Sequence, residues 1–464
     1  MDAPQNLEYF PTLSEDGRKM LEFLREHPAA PIYRNQSGNR LLAEEVESLR
    51  HFEREVRAAK VGWPCNGLPD WLEDFVATTW QEVPYYRALG SQPRRFADIP
   101  TVRRADLAAD IARFVPDSVA IDRLINFRTT GTSGNPLLIA SHPLVAGRYL
   151  AFHKRALARF GIELKHGRGQ VGVVLLGVQK KCFTYVSVTP LMDESGLAKI
   201  NLHPDDWRQP DDRVTYLEAL APEVIAGDPI SFAEILNLPV KLQSRALLSV
   251  GMMLSAGLRA KLEERFACPV LDLYSLNEVG PVGVFDVAAG GHVLLQNRLF
   301  IEILDPEGQP VATGERGEIT LTGGFNFCLP LLRYRTGDYA ALAFGSDAPV
   351  LIGLAGRQPV RFRTTNGDWI NNIDVTHALK PLPLAQYGLH QNADSSLVLR
   401  LGHNSLAQAE AAHGLLKPLF GDLQLQVEAI TGEDKILQYT SDLEHGAKST
   451  TSFRCRDSRG YGVP

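Results

Sequence analysis

The sequence predicts an α/β protein with a large N-terminal domain and a smaller C-terminal one. Its 464 residues are more than a single compact core usually holds. Hydrophobic residues make up 44% and charged residues 22% of the chain, the balance of a globular protein. Between residues 121 and 293, short β-type runs alternate with helical stretches. That alternation is typical of a mostly parallel sheet flanked by helices.

The rest of the chain is assigned in order. Residues 1–120 read mostly as helix, and Thr101 is the expected N-cap of a helix that runs through Arg113. Residues 294–356 change to strands joined by Gly, Pro and Asp turns, which predicts a β subdomain. Residues 357–464 mix short strands with one helix, which predicts a small α+β C-terminal domain.

Charge, hydropathy and cysteine spacing exclude several classes of function. The chain has 48 Lys and Arg against 54 Asp and Glu, a formal charge of −6 and not the basic excess that nucleic acid attracts. Apolar runs such as Val171–Val178 are too short to span a bilayer, and the N-terminus lacks the apolar core of a secretory signal. The five cysteines lie far apart. We therefore expect a cytoplasmic protein without a membrane or nucleic-acid partner.

The sharpest local motif is a Gly/Ser/Thr-rich loop between two apolar runs. It reads Arg128-Thr-Thr-Gly-Thr-Ser-Gly-Asn-Pro136. Its glycines permit a tight turn, and successive amides together with hydroxyls form a concave site for phosphate oxygens. It differs from a Walker A loop because it lacks the Gly-Lys-Ser/Thr ending and a strand is expected to follow it. A polar hairpin loop without a ligand is the alternative interpretation.

Three further motifs follow the loop along the chain: Tyr274-Ser-Leu-Asn-Glu278-Val-Gly280, Leu332-Arg-Tyr-Arg-Thr-Gly-Asp338 and Gly356-Arg357. In this order and spacing they resemble the adenylate-forming superfamily of acyl-CoA synthetases, adenylation domains and luciferases. Glu82-Val-Pro-Tyr-Tyr-Arg87 and Arg103–Leu107 look most like the phenylacetate–coenzyme A ligase branch. The resemblance spans roughly residues 70–375. It implies an adenylation domain over residues 1–356 and a mobile lid over residues 357–464.

The resemblance implies an ATP-dependent reaction in two steps. A carboxylate attacks the α-phosphate of ATP, pyrophosphate leaves and an acyl-adenylate forms. This chemistry needs cations and hydrogen-bond donors around the phosphates. ATP and Mg²⁺ are the implied cofactors. Coenzyme A is the expected acceptor, giving a thioester of an aryl acid. A carrier-protein thiol, an amine or a hydroxyl is the alternative acceptor, and a homodimer is a candidate assembly.

The resemblance assigns the phosphate and metal chemistry to named residues. Glu278 would help hold Mg²⁺, a hard ion that suits carboxylate and phosphate oxygens. Lys448, in His445-Gly-Ala-Lys448, would bridge the α-phosphate and the attacking carboxylate, although a solvated tail lysine is the alternative. Thr130 is assigned to catalysis with these two. Asn135 stands where many relatives have lysine. The residues that would hold the leaving phosphates are Thr129, Thr130, Gly131, Thr132, Ser133 and Gly134.

The nucleoside is assigned to the later motifs. Tyr274 would stack on adenine, with a core aromatic at a strand end as the alternative. Asp338 would accept hydrogen bonds from both ribose hydroxyls, because a carboxylate offers two oxygens to a cis-diol. An ordinary Gly-Asp turn is the alternative for Asp338. Arg357 would follow at the domain junction. Further polar candidates near the nucleotide are Asp272, Ser275 and Asn277.

The acid pocket is expected between the sheet and the helix that follows the loop. Two segments should form it, residues 178–188 and 227–232. The predicted substrate residues are Phe183, Tyr185 and Gly227. Three basic residues could pair with a substrate carboxylate or ring substituent, or lie in solvent: Lys180, Lys181 and His153.

The chain departs from the family pattern at several positions. Pro359 stands at the expected hinge between the domains, where a fixed φ should restrict a swing. The segment Arg363–Gly367 displaces a glycine that helps receive coenzyme A in relatives, and Gly251–Leu254 lacks the carboxylate usual near adenine. The first two departures favour a biosynthetic enzyme that transfers the acyl group to an amine or hydroxyl. A catalytically degenerate nucleotide-binding scaffold is the second alternative.

Overall fold

The structure is a computed structural model. Its helices cover both faces of a long sheet. The structure describes residues 8–65, 67–128, 137–180, 182–356, 360–431 and 436–443. Within these ranges no helix combines the length and apolar character needed to cross a bilayer. The α-helices are α1 (Glu15–Glu26), α2 (Ala43–Ala58), α3 (Leu72–Glu82), α4 (Pro84–Arg87), α5 (Arg104–Ala109), α6 (Pro143–Arg159), α7 (Asp212–Leu220), α8 (Pro229–Leu236), α9 (Ala256–Phe266), α10 (Asn372–Leu379) and α11 (Ala409–Phe420).

Most strands join one long mixed sheet in the order β12-β13-β14-β15-β11-β10-β9-β8-β7-β4-β6-β5, with β1 beside β14. The strands are β1 (Val102–Arg103), β2 (Ile125–Arg128), β3 (Leu138–Ser141), β4 (Val171–Gly177), β5 (Tyr185–Thr189), β6 (Ser195–Asn201), β7 (Val224–Gly227), β8 (Ala246–Val250), β9 (Val270–Leu276), β10 (Gly280–Asp286), β11 (Gly291–Leu294), β12 (Leu299–Leu304), β13 (Arg316–Gly323), β14 (Leu331–Phe344), β15 (Pro349–Ala355), β16 (Arg361–Arg363), β17 (Trp369–Asn371), β18 (Tyr387–Gln391), β19 (Leu397–Leu401), β20 (Leu425–Ala429) and β21 (Tyr439–Ser441).

One half of the long sheet is parallel. Strands β6, β4, β7, β8 and β9 run in the same direction, and β5 closes the edge antiparallel to β6. Apolar residues of α1, α7, α8 and α9 pack on one face, while those of α2 and α6 pack on the other. Burial on both faces explains the nearly continuous apolar sequence of β4. The predicted class, an α/β fold with helices flanking parallel strands, is confirmed.

The other half of the sheet is antiparallel. From β9 onward the strands β10, β11, β15, β14, β13 and β12 each pair antiparallel with the next. Their core includes apolar residues of α3 and α4. The strands between residues 294 and 356 therefore continue the parallel half without a break in hydrogen bonding. Whether they also act as a separate subdomain stays a prediction.

The helix predicted from Thr101 through Arg113 is wrong. Val102 and Arg103 form β1, which pairs in parallel with Tyr334 and Arg335 of β14. Helix α5 therefore begins only at Arg104, and the chain ends it at Ala109 before a short 3₁₀ turn. A tertiary strand pairing has overridden the local helical pattern, as commonly happens for short segments.

The C-terminal part of the chain forms its own α+β unit. A four-stranded sheet, ordered β20-β19-β18-β21, packs with α10 and α11, and β16 and β17 form a hairpin beside it. The unit touches the rest of the chain where α9 begins. A Cβ placed on Gly257 would lie 2.3 Å from the carbonyl oxygen of Pro381, so this close backbone approach requires glycine. The mobility of this unit remains a prediction.

Candidate active site

The turn between β9 and β10 presents two residues of the first motif. Tyr274 lies near the end of β9, and Glu278 follows in the turn before β10. Gly280 opens β10 with a φ of +75°, and a Cβ there would meet the ring of Phe325 at 2.3 Å. Glycine is therefore required both for the turn and for the close packing. The turn leaves Glu278 only 5% exposed.

A bulge in β14 presents the second motif. Residues 336–338 are inserted where β14 passes Ile319 of β13, and Gly337 has a φ of +82°. Glu318 secures the bulge by accepting hydrogen bonds from the amide of Gly337 at 3.1 Å and from Arg335 Nε at 2.6 Å. Bulges of this kind turn a side chain away from the regular sheet direction. Here the bulge carries Asp338.

The two motifs brace each other through reciprocal hydrogen bonds. The Tyr274 hydroxyl donates to Asp338 Oδ2 at 2.8 Å, and the Tyr334 hydroxyl donates to Glu278 Oε1 at 3.0 Å. Each motif thus supplies one tyrosine and one carboxylate, and each tyrosine holds the carboxylate of the other motif. Gly356 lies at the same place, because a Cβ there would be 3.5 Å from Asp338 Oδ1. The structure therefore brings together Tyr274, Glu278, Asp338 and Gly356.

Burial keeps both tyrosines protonated. Loss of solvent raises the pKa of Tyr274 well above its ordinary value, and the negative charge of Asp338 raises it further. Burial and the neighbouring Glu278 do the same to the pKa of Tyr334. Both hydroxyls consequently remain neutral hydrogen-bond donors at physiological pH.

Arg104 forms an ion pair with Glu278. Its Nη1 lies 3.5 Å from Glu278 Oε1. No group of three or more metal-ligating side chains occurs in the described part of the chain. Mg²⁺ is commonly held by one or two carboxylates together with substrate phosphates, so the single buried Glu278 fits a magnesium–nucleotide site.

Three residues form a row across the parallel strands, at the carboxyl ends of β7 and β8 and within β9. Gly227, Ser249 and Asp272 are register partners on β7, β8 and β9. Ligands of α/β sheets bind at this edge. Asp272 Oδ2 also lies 3.8 Å from His292 Nε2, and the buried hydroxyl of Ser249 has no hydrogen-bond partner in the structure as described. Sequence reasoning missed Ser249, which only strand register identifies.

The predicted substrate residues do not all lie together. Tyr185 is a register partner of Lys199, which pairs in turn with Leu175, and Leu175 with Ala226. Two strands thus separate β5 from β7, so Tyr185 lies about 14 Å from the strand that carries Gly227. The Phe183 ring packs 5.6 Å from that of Tyr185 and is 51% exposed. Both aromatic residues occupy the edge of the sheet.

Helix α6 places His153 one turn after Tyr149. The Tyr149 ring packs 5.2 Å from that of Phe325, beside Gly280. Burial lowers the pKa of His153 to about 4, so its ring is neutral at physiological pH. His153 therefore cannot supply the cation that one reading of the sequence assigned to it.

Some of the other predicted site residues are described by the structure, and the rest lie outside the described ranges. Ser275 and Leu276 are the last two residues of β9. Asn277 follows them and is exposed in the turn. Lys180 is exposed after β4. Those that lie outside the described residues are Thr129, Thr130, Gly131, Thr132, Ser133, Gly134, Asn135, Lys181, Arg357, Pro359 and Lys448.

The strands on either side of the Gly/Ser/Thr loop are described. β2 and β3 pair antiparallel, with Arg128 opposite Leu138. A strand therefore follows the loop, as predicted. Asn326 donates from Nδ2 to the carbonyl of Ala140 in β3 at 3.0 Å. Its neighbour Phe325 packs against Gly280, so this one segment contacts both the strand after the loop and the turn that carries Glu278.

Comparison with known proteins agrees with this geometry. The family described as "AMP-binding enzyme" matches residues 195–327. The chain is 34% identical over 93 residues to a phenylacetate–coenzyme A ligase of Escherichia coli strain K12, which covers 19% of this chain and 21% of the relative. It is 26% identical over 249 residues to the same-named protein of Pseudomonas putida, covering 49% and 56%. The alignments thus span less than two thirds of either relative.

A solved structure extends the comparison of the fold. The crystal structure of 2-hydroxyisobutyryl-CoA ligase in the postadenylation state, in complex with R3-HIB-AMP, superposes with a TM-score of 0.58 at 15% identity. The superposition covers 85% of this chain and 90% of that one. The structure shares the fold of that ligase, and its matched segments are similar to AMP-binding enzymes and to phenylacetate–coenzyme A ligases. The predicted resemblance to the adenylate-forming superfamily, near the phenylacetate–coenzyme A ligase branch, is confirmed.

Removing the hydroxyl of Tyr274 should weaken the contact between the two motifs. We expect Tyr274→Phe to lower the free energy of unfolding by about 1–2 kcal/mol, because Asp338 loses a hydrogen-bond donor. Chemical denaturation measures this. Tyr339→Phe is the control, since Tyr339 follows Asp338 in β14 and its hydroxyl makes no hydrogen bond to a described residue. Equal stability of the two variants would contradict the brace.

His153 should make the protein acid-sensitive. Its folded pKa lies below the unfolded value of 6.5, so the unfolded chain binds the proton more readily. Its contribution is present above pH 6.5 and is lost as pH falls towards 4, by about 2–3 kcal/mol. Denaturation at several pH values should show this slope reduced in His153→Asn and unchanged in His51→Asn, a change of an exposed histidine on α2. An unchanged slope in His153→Asn would contradict the burial.

Proposed function

We propose that the protein is an ATP- and Mg²⁺-dependent carboxylic acid ligase that forms an acyl-adenylate and releases pyrophosphate. The observation that carries this proposal is the pair of reciprocal hydrogen bonds that bring Glu278 and Asp338 to one site. A carboxylate for a nucleotide-bound cation and a carboxylate for a ribose diol are both needed to orient ATP. Their meeting at one end of the sheet is difficult to explain by packing alone, since buried carboxylates are costly.

In the proposed reaction, binding and orientation provide most of the catalysis. Asp338 accepts hydrogen bonds from the ribose hydroxyls, and Tyr274 fixes the carboxylate that does so. Bound Mg²⁺ would neutralise charge on the phosphates. Glu278 provides the protein ligand for it, and the loop containing Thr130 provides hydrogen-bond donors to the leaving pyrophosphate. Lys448 is proposed to pair with the attacking carboxylate and the α-phosphate.

The acid is proposed to bind at the carboxyl end of the parallel strands, near Gly227. A Cβ on Gly227 would lie 3.2 Å from that of Leu176 and 3.4 Å from that of Ser231, so the space that glycine preserves lies on the α8 face of the sheet. Neutral His153 and Tyr149 offer polar groups on an otherwise apolar helix face. Such a lining suits an aryl or arylacetic acid. The relatives named phenylacetate–coenzyme A ligase support the same class. Phe183 and Tyr185 would border the entrance at the sheet edge.

Coenzyme A is the proposed acceptor, which gives a thioester in the second step. The names of the relatives and of the superposed ligase support it. Transfer to an amine, a hydroxyl or a carrier-protein thiol is the second candidate. It is favoured by the displaced glycine of the segment Arg363–Gly367, which forms the tight turn between β16 and β17 with Gly367 at a φ of +85°. A cytoplasmic location is proposed with either acceptor.

Isotope exchange between pyrophosphate and ATP tests the first step. With Mg²⁺ and a panel of aryl and arylacetic acids, we expect acid-dependent exchange, and thioester when coenzyme A is added. Exchange without thioester would select the second acceptor class. Absence of exchange with every acid, while ATP still binds, would contradict the proposal and favour a nucleotide-binding scaffold.

Substitutions of Asp338 and Lys448 test whether adenylation takes place at the proposed site. Asp338→Ala should raise the KM for ATP on the order of a hundredfold, because two hydrogen bonds to a charged group are lost. Asp305→Ala, in a surface turn, is the control. Lys448→Ala should abolish exchange but leave ATP binding intact, with Lys417→Ala as a control that breaks only a surface ion pair. Full exchange in Lys448→Ala would exclude that lysine.

A further inference from the structure

The two oxygens of the Glu278 carboxylate have different surroundings. Oε1 accepts the hydrogen bond from Tyr334 at 3.0 Å and lies 3.5 Å from Arg104 Nη1. The second distance describes an ion pair more than a short hydrogen bond. Oε2 accepts no hydrogen bond from any residue in the described ranges. The described side chains therefore contact Glu278 through Oε1, and none of them donates a hydrogen bond to Oε2.

Tyr334 and Arg104, the two residues that contact Oε1, are positioned by the pairing of β1 with β14. Tyr334 is 2% exposed and lies in β14, where Val102 of β1 is its register partner. Arg104 follows β1 directly and opens α5. The parallel pairing of β1 with β14 thus delivers Arg104 to the same carboxylate as Tyr334. Its side chain is about one-third exposed.

We propose that Tyr334 and Arg104 are positioning residues that orient Glu278 through Oε1, so that Oε2 is the oxygen offered to Mg²⁺. This inference rests on the proposed function. A carboxylate held at one oxygen cannot rotate freely, and such supporting contacts commonly govern metal affinity.

The neighbouring charge has a second consequence for the metal. Arg104 partly offsets the charge of Glu278, and no group of three or more metal-ligating side chains occurs among the described residues. A lone, partly neutralised carboxylate is a weak magnesium site, since Mg²⁺ needs six well-placed ligands. Magnesium should therefore bind together with the nucleotide phosphates and not before them.

Calorimetric titration tests this without catalysis. A non-hydrolysable ATP analogue is titrated into the full chain at increasing Mg²⁺, with no acid present. The Mg²⁺ concentration that gives half the maximal gain in affinity should rise 10- to 100-fold in Tyr334→Phe, which removes a positioning contact without changing the charge. Arg104→Met removes the positioning contact together with a positive charge that opposes Mg²⁺, so the rise should be smaller than in Tyr334→Phe. Affinity for the analogue without Mg²⁺ should remain within a few-fold in Tyr334→Phe.

Matched controls separate positioning from folding. Tyr339→Phe removes a hydroxyl from the same strand, and Arg95→Gln removes an exposed arginine paired with Asp98. Both should keep the wild-type Mg²⁺ requirement. A Tyr334→Phe variant that melts lower but keeps that requirement would overturn the inference alone. A wild-type chain that binds no Mg²⁺–nucleotide would overturn both the inference and the proposed function.

Discussion

The two tyrosine–carboxylate hydrogen bonds are the constraint on which the site depends. Glu278 is buried and Asp338 is partly so, and a buried carboxylate without donors would be strongly unfavourable. Tyr274 and Tyr334 satisfy this need across the sheet, and burial keeps both hydroxyls protonated. The turn after β9 and the bulge in β14 can therefore face each other with two negative charges between them. Cations and hydroxyl groups of a nucleotide are the natural partners of such a site.

The sequence predicts the outline of this arrangement because its signals are local. Alternating apolar runs and helical periods identify the α/β class, and the order of four short motifs indicates the resemblance to the adenylate-forming superfamily. Local sequence patterns fail to predict the structure where pairing with a distant strand determines the conformation. Thr101 and its neighbours have the pattern of a helix start, yet Val102 and Arg103 pair with β14 instead. The same pairing places Arg104 in the site, which no spacing in the sequence indicates.

Strand register accounts for the remaining differences. Ser249 joins Gly227 and Asp272 in one row only because β7, β8 and β9 align in that way. Phe183 and Tyr185 follow β4 closely in sequence, but the chain crosses to the edge of the sheet and separates them from Gly227. Composition could show that this segment is aromatic, whereas its distance from the pocket depends on strand order. The burial that makes His153 neutral is likewise a property of the packed helix.

The central claim is that one nucleotide contacts both braced carboxylates. A crystal structure with a sulfamoyl analogue of an aryl-adenylate tests it most directly. The account predicts that the ribose lies on Asp338, that the adenine lies beside Tyr274, and that the aryl group points towards Gly227. An analogue bound elsewhere, with the hydrogen bonds of Tyr274 and Tyr334 unchanged and Asp338 out of reach of the ribose, would contradict it.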